Sequence, residues 1–203
     1  MPYRRRRRRR RRYYRRGLSK AQYRAVNKII DKKAELKYHD TAATGQGMTN
    51  TGVIIPLTAV ASGDQDDQRS GNKINVKSLQ FKAQIAKQGV DVSCRVVLFK
   101  FYRPVPGSNP ASTDIFVTSG TLHTLAKAGT ASFQILYDRT FNQLITQSPT
   151  RVISFYRKMN TDIHYSSDTS NNWTKNPLFL YVISDNVTPS VIDYQARIRF
   201  TDI

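Results

Sequence analysis

The chain has 203 residues, a mass of 23.2 kDa and a formal net charge of +19, from 33 Lys and Arg against 14 Asp and Glu. That length suits one ordinary domain with an appendage. The single cysteine, Cys94, excludes a disulfide framework and a cysteine-based zinc site; no apolar run is long enough to cross a membrane as a helix, and no apolar h-region precedes the body.

Positive charge is segregated along the chain. Residues 1–37 hold 17 basic and 2 acidic residues, whereas residues 38–203 hold 16 basic and 12 acidic. The front segment begins with an unbroken run, Arg4, Arg5, Arg6, Arg7, Arg8, Arg9, Arg10, Arg11 and Arg12. Tyr13 and Tyr14 interrupt it, and Arg15 and Arg16 resume it. A block of like charge with no apolar surface cannot bury a core, so residues 1–16 are expected to be a disordered arm when alone. Its chemistry is that of a polyanion binder, with nuclear import as a second use of the same arginines.

Residues 17–37 predict a basic amphipathic helix. Ser19 is the N-cap, Gln22 completes a capping box, and Leu18 staples onto Tyr23. Ala25, Val26, Ile29, Ile30 and Leu36 form a partial apolar stripe, while Lys20, Arg24 and Lys28 extend the nucleic-acid-binding set. The plain alternative is an ordinary surface helix.

From residue 38 the texture changes. Glu35 is the only glutamate in the chain, and the body is rich in Thr, Ser, Val, Ile and Tyr, which favours strands over helices. Gly45, Gly47 and Gly52 mark a loop, Val53–Leu57 an edge strand at best because of Pro56, and Ser62–Asn72 a polar loop. Eight strand-like runs follow: 73–85, 92–103, 133–137, 141–146, 152–158, 162–165, 178–184 and 191–201. The last alternates cleanly, with Ile192, Tyr194, Ala196, Ile198 and Phe200 on one face and Asp193, Gln195, Arg197 and Arg199 on the other. The runs 95–99 and 178–183 are apolar on both faces, as for strands covered by the opposite sheet and by another subunit or segment. The expected architecture over 38–203 is all-β, an eight-stranded jelly-roll sandwich; a five-stranded oligonucleotide-binding barrel is the alternative.

Catalytic chemistry finds little purchase. The phosphate-cradling glycine loops and the G-x-S-x-G elbow are absent from the sequence, and His39, His123 and His164 are far apart. The chain is expected not to be an enzyme and to need no cofactor. Asp64, Asp66 and Asp67 form the densest carboxylate cluster; without the glycine and distal glutamate of an EF-hand loop they read as a solvated loop that pairs with Arg69 or with a neighbouring subunit, calcium binding being the alternative.

The arm, the basic helix and the strand-rich body together resemble small icosahedral virus coat proteins. The likeness is to those of satellite tobacco necrosis virus and of circovirus-like circular single-stranded DNA viruses. It is carried by Gly63-Asp64, Arg69-Ser70-Gly71-Asn72-Lys73-Ile74, Ser78-Leu79 and Cys94-Arg95-Val96-Val97-Leu98-Phe99. Ile135-Leu136-Tyr137-Asp138-Arg139 and Asn176-Pro177-Leu178-Phe179-Leu180 complete the set. The resemblance implies a single jelly-roll domain and a shell of sixty identical subunits. The arm would point inward onto the genome, single-stranded DNA in preference to RNA. The particle is the virion, and assembly would take place in the host nucleus after uptake by an import receptor. Calcium sits at subunit contacts in the satellite-virus group, with no ligand set assigned here. The rival class is a cellular nucleic-acid-binding protein, ribosomal or chaperone-like, with a basic tail. Such a monomeric binder should carry a basic, aromatic face on its body.

Overall fold

The computed structural model describes Ser19, Gln22 and residues 35–86, 91–117, 132–143, 150–186 and 190–203. The arm, and nearly all of the segment predicted as a helix, lie outside these residues. The predicted capping box does form: Ser19 Oγ accepts from the Gln22 N–H at 3.2 Å, and Gln22 Oε1 accepts from the Ser19 N–H at 2.9 Å. Glu35–Ile203 is a unit of its own.

Nine strands lie among the described residues of that unit. They are β1 (Lys37–Met48), β2 (Val53–Pro56), β3 (Lys73–Ala86), β4 (Val92–Phe101), β5 (Phe133–Gln143), β6 (Thr150–Tyr165), β7 (Trp173–Lys175), β8 (Leu178–Ser184) and β9 (Ser190–Asp202). One sheet has the order β1-β9-β3-β6-β7 and the other β2-β8-β4-β5. The three-residue β7 apart, each sheet has four strands. The chain pairs its first strand with its last, β2 with β8, β3 with β6 and β4 with β5, all antiparallel. Such a rolled ribbon is the jelly roll, and it bears out the fold expected from the sequence.

The eight core strands are not the eight predicted runs. Runs 133–137 and 141–146 merge into β5, because Asp138 and Arg139, which read as turn residues, pair with Val97 and Val96. Arg95 then holds the Asp138 carboxylate with Nε at 2.8 Å and an Nη at 2.7 Å. Runs 152–158 and 162–165 merge into β6, where Asn160 Oδ1 accepts from Asn75 Nδ2 at 2.8 Å instead of making a turn. The predicted glycine loop is mostly strand. Gly45, at φ +69°, lies where the β1–β9 register shifts, and its N–H donates to Asp193 Oδ1 at 2.6 Å. Only a residue without Cβ takes that conformation without penalty, so the glycine makes a bulge here. Lys37, expected at the end of a helix, opens β1 opposite Phe200 and reaches Asp202 at 3.1 Å.

The inward positions of both sheets form the main core. Ile74, Leu79, Phe81 and Ile85 of β3 meet Cys94, Val96 and Leu98 of β4, Leu180 and Val182 of β8, and Ile192, Ile198 and Phe200 of β9. Burial pushes the Cys94 thiol up to about 11, which leaves it a small inert hydrophobe. A second apolar layer covers the outer face of the β2-β8-β4-β5 sheet. There Phe99 stacks on Phe179 at 5.4 Å, Trp173 meets Phe179 edge-on at 5.4 Å, and Phe116 lies 4.9 Å from Tyr181. Phe116 and Ile115 belong to the β4–β5 connection, just after a short 3-10 turn at Ser112–Asp114. The two-faced apolar strands are thus covered by the chain's own loop, and their composition does not by itself call for a second subunit.

Candidate nucleic-acid interface

Of the residues singled out for nucleic-acid binding and nuclear import, all of Arg4 to Arg12, Arg15, Arg16, Lys20, Arg24 and Lys28 fall outside the described residues. What the structure does place is the solvent face of the β1-β9-β3-β6-β7 sheet. Directly opposed residues of an antiparallel ladder share a face, so the register fixes the rows. One row reads Tyr38, Arg199, Ser78, Lys158; the next reads Asp40, Arg197, Gln80, Tyr156; the third reads Ala42, Gln195, Lys82, Ser154. Adjacent rows are two residues apart, about 6.8 Å along the strand.

The charges on this face are unequal. Arg197 grips Asp40 through two hydrogen bonds, at 2.7 and 2.6 Å, and its guanidinium lies 4.8 Å from the centre of the Tyr38 ring. Lys82, Lys158 and Arg199 make no ion pair with any described carboxylate. Two rings, Tyr38 and Tyr156, stand exposed among these cations. A hollow of about 190 Å³ lies between Gln80, Lys82, Gln195 and Arg197. Cations in rows with exposed rings between them are what a single strand of nucleic acid meets on an open binding sheet: phosphate contacts plus stacking platforms.

The sequence pointed to Arg197 and Arg199 by alternation alone. It missed Tyr38, Lys82, Tyr156 and Lys158, whose common face depends on register across four strands. The body therefore does carry the basic, aromatic face expected of the rival class, so body charge does not separate a coat from a cellular binder.

The hydrogen bonds from Arg197 hold the Asp40 carboxyl below the usual carboxylate range, with burial opposing. A depressed carboxylate contributes stability that is present above its unfolded pKa and is lost as pH falls through the folded value. Asp40→Asn should remove that part of the acid sensitivity and change neutral-pH stability little, because the pair is half exposed. Thermal melts of the wild type and the variant between neutral and acid pH check this.

The other candidates are dispersed. His39 and His164 lie on different strands and His123 lies outside the described residues. Asp64, Asp66 and Asp67 are exposed, and no group of His, Cys, Asp or Glu able to hold a metal occurs among the described residues.

The β-sandwich is rolled as a jelly roll, with an arginine-rich sequence ahead of it. The chain belongs to the satellite tobacco necrosis virus coat protein family, whose model matches residues 4–203. It is accordingly a viral capsid protein, a structural component of a virion that assembles with copies of itself. Among solved structures, the chain is similar to the desmodium yellow mottle tymovirus structure at 10% identity, covering 83% of this chain and 88% of that one with a TM-score of 0.39. It is also similar to the structure of infectious bursal disease virus Gx strain at 9% identity, covering 82% of this chain and 32% of that one with a TM-score of 0.28. No curated protein sequence matches.

Proposed function

We propose that this coat protein closes into an icosahedral shell of about sixty copies and packages single-stranded nucleic acid, DNA in preference to RNA, through its arginine arm. The observation that carries this reading is the segregation of charge: 17 basic and 2 acidic residues in 1–37, ahead of a body with 16 and 12. Each arm neutralises phosphate and releases counterions, which offsets the self-repulsion of confined nucleic acid. Arginine suits the task because its planar fork binds phosphate in pairs of hydrogen bonds and stacks on bases. Lys20, Arg24 and Lys28 continue this surface, and Lys82, Lys158 and Arg199 supplement it from the body. The same arginines serve as a nuclear import signal, which places assembly in the host nucleus.

Mass photometry of purified protein should give one discrete species of megadalton size, and nuclease digestion of the extracted contents should show DNA. A stable monomer of 23.2 kDa at micromolar concentration and neutral pH would sink the shell; RNA contents would overturn the preference for DNA alone. Asp40→Asn, which frees Arg197, should also steepen the salt dependence of single-strand binding by about 0.7 in the log–log slope for each added phosphate contact.

A further inference from the structure

Away from the rows of the sheet face, the ends of β4, β6 and β7 surround a cavity of about 740 Å³. A second hollow, of about 300 Å³, adjoins it and shares His164, Lys175 and Asn176. The first is walled by Tyr102 and Arg103 and the second by Lys100, whose Nζ lies 4.9 Å from the centre of the Tyr102 ring. Asp162 is the one acidic residue lining either hollow among the described residues, and it is already engaged: Lys73 Nζ lies at 2.9 Å and Asn75 Nδ2 at 2.6 Å. Lys100, Arg103 and Lys175 have no carboxylate partner among the described residues, so the hollow is cationic.

Its frame is built from backbone and amide bonds. The Tyr102 N–H donates to Ser132 O at 2.7 Å, and the Phe101 N–H to Pro177 O at 3.0 Å. Asn176 Nδ2 donates to Asp162 O at 2.8 Å. Asn176 sits at φ 58°, the sole non-glycine in the left-handed region among the described residues. Such a conformation persists where surroundings over-determine it, and it tends to occur at ligand sites. Burial, with Lys73 and then Lys175, holds the His164 imidazole below its ordinary proton affinity.

We propose that this hollow is a nucleotide subsite: Arg103, Lys175 and Lys100 take the phosphodiester oxyanion of one nucleotide in a single strand, and Tyr102 and Asn176 receive its base. Three cations alone would suit phosphate or sulfate equally. The volume and the aromatic wall favour a nucleotide, which offers a flat ring as well as charge. The proposal rests on the packaging reading and deepens it by giving the packaged strand a fixed point on the body.

The test uses full-length protein assembled on an oligothymidylate carrying photoactivatable 4-thiothymidine, with crosslinked peptides mapped by mass spectrometry. The expected result is a crosslink in the peptide containing Tyr102, in addition to crosslinks in the arm. Adding thymidine monophosphate should suppress the Tyr102 crosslink. The pair Arg103→Glu and Lys175→Glu should reduce it about tenfold with the arm crosslinks unchanged. Lys175→Gln is the milder variant should the pair fail to assemble, and the map on unmodified protein needs neither. Arm crosslinks without one at Tyr102 would overturn the subsite and leave packaging standing. Crosslinks nowhere would overturn both. Suppression by inorganic phosphate or a sulfated disaccharide as strong as by the nucleotide would show a general oxyanion pocket and overturn the nucleotide assignment.

Discussion

Particles assembled from a chain lacking Met1 to Arg16 should close normally and contain little nucleic acid. The deletion removes 11 arginines per copy and no acidic residue. It leaves in place every buried residue among the described ones, since all of them lie at Lys37 or beyond. Across about sixty copies the lost charge amounts to several hundred phosphate contacts, each of which releases counterions on binding. The absorbance ratio at 260 and 280 nm should therefore fall toward that of protein alone, while electron microscopy shows shells of unchanged diameter. Truncated shells that package as much as intact ones would shift the role to the segment 17–37 and to the sheet face. Affinity of intact protein for single strands should fall steeply with salt and show little sequence preference.

The second large effect is expected from Arg69, in the connection between β2 and β3. It has no exposed surface, yet among the described residues no carboxylate pairs with it. Its Nε donates to Val60 O at 3.3 Å, one Nη to Gly71 O, and the other to Ser167 O at 3.2 Å and to Ser170 O. The guanidinium lies 4.0 Å from the centre of the Tyr165 ring, whose hydroxyl donates to Thr58 O at 2.9 Å. One side chain thus ties the β2–β3 connection to the connection after β6. Arg69→Ala would leave a cavity and several carbonyls without a donor, at about 1–3 kcal/mol for each buried acceptor left unsatisfied. Denaturant unfolding of the subunit should show a loss of about 3 kcal/mol or more, large for a single substitution. Arg69→Lys should recover little, since an ammonium cannot span carbonyls on both connections or lie flat on the ring. A loss under about 1 kcal/mol for Arg69→Ala would show that the two connections hold without it.

The sequence carried the fold class because period-two alternation in β9 and the apolar runs of β4 and β8 are local signals. Strand boundaries failed where a polar residue was satisfied from another strand. Asp138 reads as a turn until Arg95 is beside it, and Gly45 reads as a loop until Asp193 accepts its N–H. Trp173–Lys175 was hidden among Ser and Asn, and it becomes a strand because β6 offers His164 and Tyr165 as partners. The sheet face was legible only as far as one strand could show it. Arg197 and Arg199 alternate in plain view, but the rows that add Tyr38, Lys82, Tyr156 and Lys158 come from three other strands, whose register no single strand reveals. The hollow at Tyr102 and Lys175 left no trace in the sequence, since its walls lie up to 76 residues apart, from Lys100 to Asn176.

The strand order also sets a schedule. β9 is made after every other strand of the fold, yet it lies between β1 and β3 in its sheet. Until it arrives, β1 has no neighbour and β3 has only β6. Pairing β1 with β9 closes a loop of more than 140 residues, from Met48 to Ser190, so the entropy of bringing distant segments together is spent before most of the sheet exists. Chains dominated by such long-range pairings fold in milliseconds to seconds. The arginine run leaves the ribosome ahead of all these strands and β9 joins the sheet after them, which gives the cationic segment a period of availability to polyanions before any subunit can join a shell.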